Sequence, residues 1–105
     1  MMSKNYIDNA LNVIQYFLDH PNYWMSDEEI FNVSPRYGKK IIDILIAAEV
    51  IVCTKDGLLF DEGDVFALNS YLSELGDEIE NIKKEERAEL LNKIGVITNI
   101  ITPLL

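Results

Sequence analysis

Apolar side chains recur along residues 4–19 at Ile7, Leu11, Ile14 and Leu18, with Ala10, Val13 and Phe17 beside them. Spacings of three and four put them on one stripe of an amphipathic helix. Pro21 closes it, because proline disfavours helical geometry in the residue before it. Ser26-Asp27-Glu28-Glu29 then forms a capping box. The Ser26 hydroxyl is placed to accept from the amide of Glu29, and the Glu29 carboxylate to reach back to the amide of Ser26. Asp27 and Glu28 favour the positive end of the helix dipole. A short second helix is therefore expected from Asp27 through Ile30 and Phe31.

Ser34-Pro35 reads as a second start signal, with serine as N-cap and proline in the first helical position. Only Asn32 and Val33 separate it from the second helix, a helix-turn-helix spacing. The third helix continues through Ile41, Ile42, Leu45 and Ala48, and a strand begins near Val50. Asp56-Gly57 marks a two-residue hairpin turn, with Lys55 facing Leu58, Thr54 facing Leu59 and Cys53 facing Phe60.

From residue 64 the spacing becomes heptad-like. Val65, Leu68, Leu72, Leu75, Ile79 and Ile82 form one seam, and Leu90, Ile94, Ile97, Ile101 and Leu104 a second. The charged run Lys83-Lys84-Glu85-Glu86-Arg87 interrupts the register. Two arrangements are open: one long helix or a helical hairpin. A single helix of roughly 38 residues would span about 57 Å, against a radius of gyration of about 13 Å for a domain of this size. It would need a partner chain to cover its stripe.

The chain has 105 residues, 49% of them hydrophobic and 26% charged, enough to bury one core. The units expected are residues 1–62, and residues 63–105 as a helical element of the same domain or an extension of it. Cys53 is the only cysteine, and its apolar surroundings in sequence point to a buried structural thiol. With His20 the only histidine, the chain offers no zinc ligand set. No glycine-rich phosphate loop or hydrolytic triad is legible, so neither an enzyme nor a cofactor is expected. No signal peptide or membrane span is apparent, and a cytoplasmic protein is expected. Asp61-Glu62-Gly63-Asp64 reads as helix-capping charge and lacks the ligand spacing of a calcium loop. Tyr23 and Trp24 are expected to staple the second helix, the other reading being an exposed aromatic anchor for a partner.

Residues 10–60 resemble the winged helix-turn-helix superfamily. The resemblance rests on Ser26-Asp27-Glu28-Glu29-Ile30, on Ser34 to Ala48, and on the apolar exit from Leu45 to Ile51 into the hairpin. It implies a mainly α fold with a small β-hairpin, followed by a C-terminal dimerisation helix or helical hairpin. Two positions depart from the pattern. Glu49 stands where a glycine is usual, and the wing carries a single base, Lys55.

In such proteins the third helix enters the major groove. The resemblance therefore assigns DNA contact to Ser34, Arg36, Tyr37, Lys39, Lys40 and Lys55. Dimerisation falls to Leu68, Leu72, Leu75, Ile79, Ile82, Leu90, Ile94, Ile97 and Ile101. The implied function is a dimeric DNA-binding transcriptional regulator. The net charge of −9 opposes it at long range. The charge supports an alternative: an acidic interaction module, in the manner of a phage or accessory factor or a DNA mimic, that binds a protein. Residues 1–60 carry net −3 and residues 61–105 net −6. The island Arg36–Lys40 is thus locally positive in an acidic chain. Pairing of Lys39 or Lys40 with Asp43 would neutralise it.

Overall fold

Helix α1 (Lys4–Asp19) turns an almost wholly apolar face inward, with Tyr6, Ile7, Ala10, Leu11, Val13, Ile14 and Phe17 all buried. The computed structural model describes residues 2–61 and 64–105. The stripe of spacings three and four is what allows one helix to serve as the centre of the molecule. It packs against α2 (Asp27–Val33), α3 (Gly38–Ala47), α4 (Val65–Ile79) and α5 (Lys84–Ile101). Both ends of the chain share one continuous core, from Tyr6 to Ile101. The sequence boundary between residues 62 and 63 lies outside the described residues.

Helix α2 begins as its cap predicts, with the Ser26 hydroxyl accepting from the Glu29 amide at 3.2 Å. The capping box is only half formed, however. The Glu29 carboxylate accepts instead from the Tyr23 hydroxyl at 3.1 Å and the Tyr16 hydroxyl at 3.3 Å. Met25, fully buried, fills the space beneath the helix start. Tyr23 and Trp24 stay exposed, contrary to their expected role as a staple.

The third helix starts three residues later than Ser34-Pro35 suggested, at Gly38 with Tyr37 as N-cap. Ser34 is the C-cap of α2, its amide donating to the Ile30 carbonyl at 2.9 Å. Residues 35–37 form a turn closed by the Gly38 amide on the Ser34 carbonyl at 2.8 Å. Gly38 allows the close approach of α2 and α3: a Cβ there would meet the Phe31 ring at 3.0 Å.

Strands β1 (Val52–Thr54) and β2 (Gly57–Leu59) pair antiparallel, Val52 with Leu59, Cys53 with Leu58 and Thr54 with Gly57. The expected pairing is displaced by two residues, and the turn centres on Lys55-Asp56. The reason is Gly57. Its φ of 126° is open to glycine, and a Cβ there would lie 2.5 Å from the Met25 carbonyl oxygen. Gly57 is needed in the strand, where Met25 crosses the far side of β2. Met25 and Leu58 exchange two backbone hydrogen bonds of 2.8 Å. The extended order is therefore Met25, β2, β1. Cys53 is exposed on β1, which corrects the reading of a buried thiol.

The two heptad seams resolve into a helical hairpin. Helix α4 stops at Ile79, and the Asn81 and Ile82 amides donate to Glu78 and Ile79 at 3.0 Å each. Arg87 Nε then donates to the Ile82 carbonyl at 2.6 Å, so a charge from the interrupting run caps the turn. Leu68, Leu72, Leu75, Ile79, Ile82, Leu90, Ile97 and Ile101 are buried within the chain, and Ile94 packs partly buried against them. The principal extents are 41 × 32 × 21 Å, too short for the long single helix. The seams predicted to join two chains are used inside one. Lys93 bonds to Asp8 and, at 3.0 Å, to Asn12, pinning α5 to α1. A short 3-10 turn, Thr102–Leu104, follows α5. No helix among the described residues is long and apolar enough to cross a membrane.

Candidate nucleic-acid interface

Two cations and two rings form a chain across the gap between α1 and the start of α3. The Arg36 guanidinium lies 5.3 Å from the centre of the Tyr37 ring. Tyr37 meets Tyr6 edge-to-face, with centroids 5.5 Å apart at 88°. The Lys40 ammonium lies 5.2 Å from the Tyr6 ring centre. Ring quadrupoles attract cations at these distances, which orients Arg36 and Lys40 while leaving both exposed. Lys39 is exposed beside them.

None of the three cations has an acidic partner among the described residues, where the ion pairs are Lys4 with Glu89 and Lys93 with Asp8. Asp43 is exposed and forms no bridge to Lys39 or Lys40. The neutralising pair considered from helical spacing is thus absent. Positive charge stays available in a molecule of net −9.

Beside Lys40, a recess of about 380 Å³ is lined by Met2, Ser3, Tyr6, Tyr37, Lys40 and Ile44. It lies at the N-terminus of α1, where Ser3 caps the Tyr6 amide at 3.2 Å and the first turn carries no acid. The helix dipole there adds to the positive potential of Lys40. Glu78 reaches the same end of the chain and accepts from the Met2 amide at 3.0 Å.

The remaining sequence candidates fare differently. Ser34 is fully buried and its hydroxyl has no partner among the described residues, so it does not reach a ligand on this face. Tyr37 is half-buried, serving as a ring platform more than an exposed contact. Lys55 is exposed at the hairpin tip, in a recess it shares with Ser26, Asp27, Glu28 and Asp56. Acids surround it there. Tyr6, which orients Lys40, carried no functional signal in sequence because it occupies the buried stripe of α1. No group of three His, Cys, Asp or Glu side chains is placed to hold a metal among the described residues.

Comparison with protein-family models, curated proteins and solved structures gives no match to this chain.

Proposed function

We propose that the chain is a winged helix-turn-helix protein that binds double-stranded DNA through the exposed face at the start of α3. The observation that carries the reading is the unpaired set Arg36, Lys39 and Lys40, two of them held on aromatic rings. The element order supports it: helix, extended Met25, helix, helix, hairpin. In that reading Arg36 reaches a base edge or phosphate, and the lysines neutralise phosphates. A role as a transcription regulator follows only as the common use of this fold.

A dimer is no longer required by the heptad pattern, whose residues, apart from exposed Leu104, lie in the core or pack against it. Two reading helices set one DNA turn apart, about 34 Å, would have to be joined through other surface, such as Val96, Ile100 and Leu104.

Anisotropy titrations of labelled genomic duplexes at two salt concentrations test the proposal. Binding should weaken with salt, and Lys40→Ala should lower the slope of log affinity against log salt by about 0.9 for one lost phosphate contact. Absence of binding at low salt would refute it. One feature favours a second reading, an acidic module that binds a protein: Asp27, Glu28 and Asp56 crowd the hairpin recess around a single lysine. Failure to bind DNA together with stable capture of a basic protein would favour that reading.

A further inference from the structure

Leu58 directs both its backbone groups toward Met25, with hydrogen bonds of 2.8 Å in each direction. In an antiparallel ladder such groups alternate sides, so a residue bonded outward faces a residue in a non-hydrogen-bonded pair. Cys53 is that residue. Its own N–H and C=O therefore point away from β2, to the outer edge of β1. No strand among the described residues pairs with that edge, and Val52, Cys53 and Thr54 are all exposed.

A groove of about 510 Å³ runs along the edge, lined by Ile46, Glu49, Ile51, Val52, Cys53, Thr54 and Asp64. Its lining is mainly apolar, and among the described residues the charged side chains in it are the carboxylates of Glu49 and Asp64. Asp64 Oδ2 is shielded from solvent and has no partner among the described residues. Burial first, then the neighbouring Asp61 and Glu49 charges, push the Asp64 carboxyl above its ordinary range, against a hydrogen bond from the Asp61 backbone that lowers it.

We infer that the open edge of β1 is a docking site for an extended, basic peptide segment of another protein, which adds as a third strand beside Cys53 with a cationic side chain between Glu49 and Asp64. Main-chain pairing would give the affinity and the side-chain pocket the selectivity, as in strand addition generally. The occupant follows from charge. A second copy would bring its own Glu49 and Asp64 to the same seam, where like charges oppose pairing. The inference rests on the hairpin and groove and is independent of DNA binding.

Short peptides alternating valine with lysine, and valine with glutamate, provide the probes, read by amide NMR on the full chain. The lysine peptide is expected to slow hydrogen exchange at the Cys53 amide several-fold and to shift Val52 to Thr54. The glutamate peptide should do neither. The double substitution Glu49→Gln with Asp64→Asn should weaken lysine-peptide binding roughly fivefold to tenfold, the effect of two partly exposed ion pairs. Three results would each overturn the proposal: no binding by the lysine peptide, equal binding of both peptides, or binding without protection at Cys53. Protection that grows with protein concentration in the absence of peptide would also overturn it, by making a second copy the occupant.

Discussion

Glu49 holds a φ of 63°, in the left-handed region that costs a side-chain-bearing residue about 1–2 kcal/mol. The bonds around it explain why the chain turns there. The Glu49 amide donates to Ile46 at 3.0 Å and the Val50 amide to Leu45 at 2.9 Å, the paired closure of a helix that ordinarily places glycine at this position. Replacing Glu49 with glycine should raise unfolding stability by about 1 kcal/mol in urea titrations; unchanged or lower stability would show the conformation to be unstrained. Tyr6 and Tyr71 make a second residue-scale point. Both hydroxyls are buried, facing each other, with no partner at hydrogen-bond geometry among the described residues. Burial raises both phenols above 10.0, and the Tyr6 charge raises Tyr71 further. The folded state thus favours neutral phenols. Their contribution is complete below pH 10 and declines as pH rises past the ordinary tyrosine value. Tyr71→Phe should leave stability at pH 7 within about 1 kcal/mol and move alkaline unfolding, followed by circular dichroism, to higher pH.

Elements were legible in sequence wherever a periodic stripe coincided with burial. The stripe of α1 and the Ser26 cap stand where spacing and chemistry place them. The start of α3 did not, because Ser34-Pro35 suits both the end of one helix and the beginning of the next. What decides is the Gly38 approach to Phe31, a contact between elements that local chemistry does not contain. The hairpin register escaped for the same kind of reason: Gly57 serves Met25, more than thirty residues upstream, as well as its own turn. The heptads of α4 and α5 were visible, but periodicity cannot say whether a seam faces its own chain or another. Here it faces its own. Leu75→Ala should therefore destabilise the chain by roughly 2–5 kcal/mol, as for other buried leucines, with no change of mass in sedimentation equilibrium. A dissociated but equally stable variant would restore the seam to an interface.

Across the whole molecule, the informative quantity is the placement of charge more than its sum. Lys4 and Lys93 pair with acids, and Arg87 closes the α4–α5 turn. Lys55, Lys83 and Lys84 are exposed elsewhere, while Arg36, Lys39 and Lys40 stand together at one surface. The basic island was readable in sequence. Its exposure, freedom from Asp43 and anchoring on Tyr6 and Tyr37 required the fold. Acidic faces elsewhere, at the start of α2 and along β1, would hold DNA to that one surface by repelling it from the others. The most direct test of this account is an amide NMR titration of the full chain with a short DNA duplex at low salt. The proposal predicts shifts concentrated at Arg36 to Lys40, Asp43 and the first residues of α1, reduced when Arg36 and Lys40 are both replaced by alanine. Shifts centred on another surface, or none at all, would contradict it.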